Sequence, residues 1–291
     1  MVGPLQIVSH RSVTYGSGHW TRSQALAENL KLKGVSAEVV ELLLVLKSNE
    51  YPESTAEIRV LDIPFGLQPL AAGRLRNEKS IALDWANEIG KPRINVAAFE
   101  SPIRSYPSHD RTIHGIEYLI VPAPNETGGL PEGEEIVIEA EEVPVILGTY
   151  PNQSAIESAI RTADALDFAA IIFGECEITA PLMRGPRTSF RGFVPNIFSK
   201  LRNETVMITN GGVALTEALA RGVFTIAIPA TVDEYFFSNE LTKLFGGVVV
   251  LDATDAPSVK AQMREFERDG GPSLPKDGVA NVAEIVAETI R

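Results

Sequence analysis

Short apolar runs alternate along this chain with glycine-containing polar loops and segments of helical spacing, a pattern that predicts an α/β protein. The clearest unit lies between Val206 and Leu251. Val206 to Thr209 is an apolar run that predicts a buried strand, and Asn210-Gly211-Gly212 breaks it. Val213 to Ala220 has helical spacing, and Gly222 stands where a helix C′ residue belongs. Phe224 to Ile228 predicts the next strand, stopped by Pro229. Strand, Gly-Gly turn, helix and strand make a βαβ unit with its glycines at the carboxyl end of the first strand. Open parallel sheets bind their ligands at that edge.

The same grammar opens the chain. Leu5 to Ser9 predicts a strand, and His10 to His19 a polar, glycine-containing loop. A helix follows from about Thr21 to Lys33, with Ala25, Leu26, Ala27 and Leu30 facing the core and Gly34 ending it. Val39 to Leu44 predicts the next strand. Lys47 to Gly66 mixes charges with prolines and holds one strand, Ile58 to Leu61. Ile81 to Ile89 has helical spacing closed by Gly90, and Ile94 to Phe99 and Tyr118 to Val121 predict strands. The loop between them leaves His109 and His114 as solvated residues. Residues 122–135 are rich in Pro, Gly and acid, the composition of a linker.

Beyond the linker, Val143 to Leu147 opens a new sheet, followed by a helix from about Ser154 to Leu166 and a strand from Ala169 to Phe173. Gly192-Phe193-Val194 precedes a short helix begun by Pro195, and Pro257 to Asp269 and Val279 to Ile290 predict helices. The expected domains are 1–125 and 126–291, with the final helix packing back on the first.

Composition narrows the class. The 291 residues carry 26 basic and 38 acidic side chains, a net charge of −12, so there is no broad basic footprint for nucleic acid or an anionic membrane. The single cysteine excludes an intrachain disulfide. No stretch reaches the ~18 uninterrupted apolar residues of a transmembrane helix, and the N-terminus has no basic segment followed by a long apolar core. A soluble, cytoplasmic protein is expected.

The candidate chemistry gathers at the two glycine loops. Backbone N–H groups of Gly211, Gly212 and the first helical turn after them, with the positive end of the helix dipole behind, suit a phosphate or diphosphate. Glu217 falls one turn along that helix, where a carboxylate can accept hydrogen bonds from ribose hydroxyls. Asp233, Glu234 and Asn239 crowd polar groups at the start of the next helix, although a solvated helix start would account for the acids equally well. In the first half, Gly16-Ser17-Gly18-His19 has no third glycine of a dinucleotide fingerprint and does not read as an NAD site. It places His19 at a helix start, where the dipole favours a neutral ring able to accept a proton. A capping or surface histidine is the alternative.

Taken together, the two loops resemble the GT-B superfamily of nucleotide-sugar enzymes. Gly16-Ser17-Gly18-His19-Trp20-Thr21-Arg22 with Ala25-Leu26-Ala27 is similar to the GxGHxxR…LA signature of the nucleotide-sugar hydrolases of pseudaminic acid synthesis. Gly192-Phe193-Val194-Pro195, Thr209 to Gly212, Glu217 to Gly222, Ile228-Pro229 and Asn239 resemble the donor-binding half of family 28 glycosyltransferases. The resemblance implies two Rossmann-like domains facing across a cleft. It implies that the backbone at Phe193 and Val194 reads the base, that Gly211 and Gly212 hold the diphosphate, and that Glu217 binds the ribose. Gly16, Gly18 and His19 would approach from the first domain, with His19 as general base.

The implied activity is transfer from a nucleotide-activated sugar, with UDP as the expected nucleotide, to an acceptor. Hydrolysis by water and a catalytically inactive nucleotide-binding subunit are the alternatives. No DxD triplet occurs, so neither a metal nor a further cofactor is expected. Where relatives carry Gln or Asn-Gln against the donor sugar, this chain has Asp233-Glu234-Tyr235-Phe236.

Overall fold

The computed structural model describes residues 4–12, 18–47, 58–64, 67–72, 80–83, 93–95, 112–114, 135–148, 153–174, 187–194, 197–245, 248–250, 256–269, 274 and 277–291. The chain forms two compact units, Met1–Pro122 with Pro275–Arg291, and Ala123–Leu274. Residues 122–134, the expected linker, and Tyr118 to Val121 lie outside the described residues, as do Gly16 and His109.

In the first unit the elements run β1 (Leu5–Ser9), α1 (Gly18–Leu32), β2 (Ala37–Glu41), α2 (Leu42–Lys47), β3 (Arg59–Asp62), α3 (Gln68–Ala72), β4 (Ile81–Leu83), β5 (Arg93–Asn95) and β6 (Thr112–His114). Their sheet has the order β2-β1-β3-β4-β5-β6, parallel throughout. The strand order reverses between β1 and β3, the kind of position at which open parallel sheets bind ligands at the carboxyl ends of their strands. Alternate strand residues supply two cores. Ile7, Val60, Ile81 and Leu83 pack with Leu26, Ala27 and Leu30 of α1 on one face. Val8, Leu61 and Ala82 pack with Leu42, Val45 and Leu46 of α2 on the other. The last helix of the chain, Gly278–Ile290, joins the first of these cores through Val279, Val282, Ala283, Val286 and Ala287.

The second unit comprises β7 (Ile136–Val137), β8 (Glu142–Ile146), α4 (Gln153–Ala165), β9 (Ala169–Phe173), β10 (Thr188–Gly192), α5 (Ile197–Lys200), β11 (Leu201–Arg202), β12 (Val206–Thr209), α6 (Val213–Ala220), β13 (Phe224–Ala227), α7 (Val232–Phe245), β14 (Val248–Val250) and α8 (Ala256–Asp269). Its sheet order, β10-β9-β8-β12-β13-β14, is that of a dinucleotide-type fold and reverses between β8 and β12. β7 and β11 form a separate two-stranded ribbon. Again both faces are covered. Val145, Ile172, Ile208 and Ile226 meet α4 and Val259 of α8 on one side, while Ile146, Ile171 and Met207 meet Phe198 and Ala218 on the other. Helix α6 ends at Gly222, whose φ of +74° lets the amides of Gly222 and Val223 bond back to the carbonyls of Leu219 and Ala218.

Three expectations change. Ile81 to Leu83 is a strand, not the opening of a helix to Ile89. All three residues are buried, and a strand covered on both faces loses the alternation that would separate it from a helix. The run Val39 to Leu44 divides into the end of β2 and the start of α2, because Leu42 turns into the second core. Thr112 to His114, where no strand was expected, is the sixth strand. No described helix is long and apolar enough to cross a membrane.

Candidate functional site

The parallel register brings three strand ends level in the first unit. Ser9 of β1 lies opposite Glu41 of β2 on one side and Asp62 of β3 on the other. Each flanking carboxylate holds a histidine. His10 Nδ1 is 2.5 Å from Glu41 Oε1, and His19 Nδ1 is 2.8 Å from Asp62 Oδ1.

The second pair sits at the β1/β3 reversal. Helix α1 begins at Gly18, earlier than its spacing predicts, so His19 is in the first turn and Arg22 and Ser23 face inward one turn later. Arg22 donates Nε to Asp62 Oδ2 at 2.9 Å and Nη2 to Oδ1 at 2.5 Å, and Ser23 Oγ donates to Oδ2 at 2.8 Å. Asp62 has no solvent exposure, and burial by itself would raise its pKa. The charges and hydrogen bonds of Arg22 and His19 outweigh burial and hold the carboxyl well below the usual carboxylate range. Nδ1 faces both this anion and Arg22 Nη2, at 3.0 Å, and the charge of Asp62 favours a proton on Nδ1, which would leave Nε2 as the accepting nitrogen. The carboxylate fixes the orientation of the imidazole.

In the second unit the turn after β12 brings Asn210, Gly211, Gly212 and Glu234 together. A Cβ on Gly211 would fall inside contact distance of the Glu234 carbonyl oxygen and Ser238 Oγ, so only glycine lets the turn lie this close to α7. Gly212 is the N-cap of α6 and brings no side-chain cap to it. The start of α7 is different. Glu234 N–H donates to Thr231 Oγ1 at 3.2 Å, while Glu234 Oε2 accepts from Thr231 N at 3.1 Å and Ala230 N at 2.7 Å, a capping box. Of two neighbouring helix N-termini at this edge, one is capped by its own carboxylate and the other has no side-chain cap hydrogen bond, although Asn210 and Glu234 lie beside it.

Glu217 lies on α6, one turn in. Burial pushes its carboxyl up to about 8, against a smaller opposing pull from Arg221, and no hydrogen bond reaches that carboxyl among the described residues. Burial also raises Glu234, although the amides of Ala230 and Thr231 and the side chain of Asn210 partly offset it. Thr209 Oγ1, at the end of β12, is buried with no partner among the described residues.

Other expected residues stand apart from this group. Phe193 and Val194 follow the edge strand β10. The Phe193 ring is half-exposed, and Val194 packs against the second core of its unit. Asn239 donates to the Tyr235 carbonyl within α7 at 2.8 Å. The Asp233 side chain lies outside the described residues.

No family model and no curated protein matches the chain. Solved structures do. UDP-GlcNAc 2-epimerase from Neisseria meningitidis, bound to UDP-GlcNAc, superposes with a TM-score of 0.61 at 10% identity, covering 98% of this chain and 99% of that one. S. aureus MnaA in a co-structure with UDP gives 0.60 at 11%, covering 100% and 96%. The spinosyn forosaminyltransferase SpnP gives 0.55 at 15%, covering 98% and 100%. The chain has the GT-B fold. At these identities the likeness speaks for the fold alone.

Within this GT-B fold, sequence reasoning overlooked Asp62 and gave no role to Arg22 or Ser23. The signal for Asp62 was present, since an acid directly follows the apolar run Ile58 to Leu61, at the strand end where ligand sites form. The mixed charges of Lys47 to Gly66 hid it.

Proposed function

We propose that the protein is an enzyme acting on a UDP-activated sugar, a glycosyltransferase with His19 as general base. The observation that carries the reading is Glu217. Its carboxyl is half-buried and has no hydrogen-bond partner among the described residues, one turn behind a helix N-terminus that lacks a side-chain cap. A nucleoside diphosphate supplies both missing partners, ribose hydroxyls for the carboxyl and an anion for the helix end. Phe193 and Val194 would read the base.

In the reaction, an acceptor hydroxyl gives its proton to His19 Nε2 as its oxygen bonds to the anomeric carbon. The bond from that carbon to the diphosphate breaks, and UDP leaves with the electron pair. Asp62 stabilises the imidazolium that forms, and the amides at the start of α6 stabilise the charge on the leaving group. Hydrolysis, with water as the nucleophile, is the second reading. It is favoured by the Gly16 to Arg22 segment, which resembles the hydrolase signature.

Calorimetry with UDP and product analysis with a panel of UDP-sugars test this. UDP should bind, and Glu217→Ala should weaken binding by about 1 kcal/mol for each ribose hydrogen bond lost. Equal affinity in the variant would remove Glu217 from the site. A glycosylated acceptor means transfer, free sugar means hydrolysis, and an epimerised sugar would align the chain with the 2-epimerases. Binding with no product would mark a nucleotide-binding subunit.

A further inference from the structure

Glu234 makes more contacts than a helix cap requires. A capping box needs only the exchange between Thr231 and Glu234, which Oε2 and the Glu234 amide complete. The other oxygen reaches out of the helix. Glu234 Oε1 accepts from Asn210 Nδ2 at 2.7 Å and lies 3.5 Å from where a Cβ on Gly212 would stand. That bond adds nothing to α7, since Asn210 belongs to the turn after β12. On its far side, Asn210 Nδ2 is 3.9 Å from the Cβ position of Gly148, in the loop after β8. The Asn210–Glu234 bond therefore links the end of β12 to the start of α7, which follows β13. Gly211 is already pressed on the backbone of Glu234, so the turn and the start of α7 meet without slack.

We propose that Glu234 is a positioning residue for the donor. It fastens the Asn210–Gly212 turn to α7 and so holds the amides of that turn in place for the diphosphate. The inference rests on the donor reading above. Glu234 then acts through the turn and need not touch the sugar, although it stands in the segment where relatives place their sugar-contacting amides.

The test uses the full chain with Thr231→Ala, Glu234→Ala and Glu234→Gln, read by calorimetry with UDP and by the backbone amide resonances of Gly211 and Gly212. Thr231→Ala removes the hydroxyl of the capping box and leaves the bond to Asn210. It should lower the melting temperature and hold UDP affinity within about twofold. Glu234→Ala should raise the UDP dissociation constant about tenfold, the equivalent of one lost hydrogen bond, and shift both glycine amides. Glu234→Gln should recover most of that affinity, because its amide can accept from Thr231 N and donate to the Asn210 carbonyl oxygen. Wild-type affinity in Glu234→Ala would overturn the proposal, as would a Thr231→Ala loss equal to that of Glu234→Ala. If the wild-type protein itself fails to bind UDP, the donor reading falls. Glycine amide shifts in Glu234→Ala that are absent in Thr231→Ala would then still uphold the clamp, and unchanged amides would overturn it.

Discussion

At the β1/β3 reversal of the first unit, Asp62 receives donors from His19, Arg22 and Ser23 and is an anion held in place by its neighbours. At the β8/β12 reversal of the second unit, Glu217 has no donor among the described residues, Thr209 Oγ1 has no partner among them, and α6 has no side-chain cap. Both reversals arise from the same rule of parallel-sheet topology, and each leaves a buried hydroxyl without a partner among the described residues, Ser9 Oγ in the first and Thr209 Oγ1 in the second, but of the two carboxylates only Asp62, and not Glu217, is met by donors on both oxygens. Under the proposed function, the paired carboxylate serves a preorganised proton-transfer group and the unpaired one gains its partners when the ligand binds.

The contrast breaks most visibly at Asp62. Asp62→Ala leaves the buried Arg22 without its counter-ion, which should cost about 3–5 kcal/mol of stability, and it frees the tautomer of His19. Turnover should fall by on the order of 10²–10⁴-fold, as for His19→Ala, while UDP affinity stays near wild type in both. Chemical denaturation, steady-state kinetics and calorimetry on the same preparations separate these effects. If either variant turns over substrate like the wild type, the first unit holds no base.

A smaller effect is expected at Gly211. Gly211→Ala drives a Cβ into the backbone of Glu234, which cannot swing aside, so stability should fall by about 1–3 kcal/mol and UDP affinity should fall with it. Gly222→Ala is the contrast in kind, since open space surrounds that position and the cost, about 1 kcal/mol, comes from its positive φ alone. Intact UDP binding in Gly211→Ala would mean that the turn is not the anion site.

The subtlest difference is one of pH. Glu217 holds its proton up to about 8 in the folded protein but releases it near 4.5 when unfolded. Over that window the folded state binds the extra proton, so this group's contribution to stability is complete below about 4.5 and is lost as pH rises through about 8. Glu217→Gln removes the loss, which reaches at most about 1.4 kcal/mol per pH unit. In urea melts the variant should gain on the wild type between pH 5.5 and 7.5. Parallel curves would mean that Glu217 is solvated and lacks the tension attributed to it.

Glycines and apolar runs are what the sequence determined by itself. Val206–Thr209, Gly222 and the helix carrying Leu26, Ala27 and Leu30 obey local rules of period and backbone sterics that need no partner. His19 was legible for the same reason, as a histidine in a glycine loop at a helix start. Asp62 was not, because its meaning depends on lying beside Ser9 in a register set by strands that close only when the sheet forms. Ile81 to Leu83 was misread because burial on both faces erases periodicity. Glu234 looked like a ligand-facing acid. Only the packing of α7 on Gly211 turned its two oxygens toward Thr231 and Asn210, since a side chain's partners are set by the backbones that assemble around it.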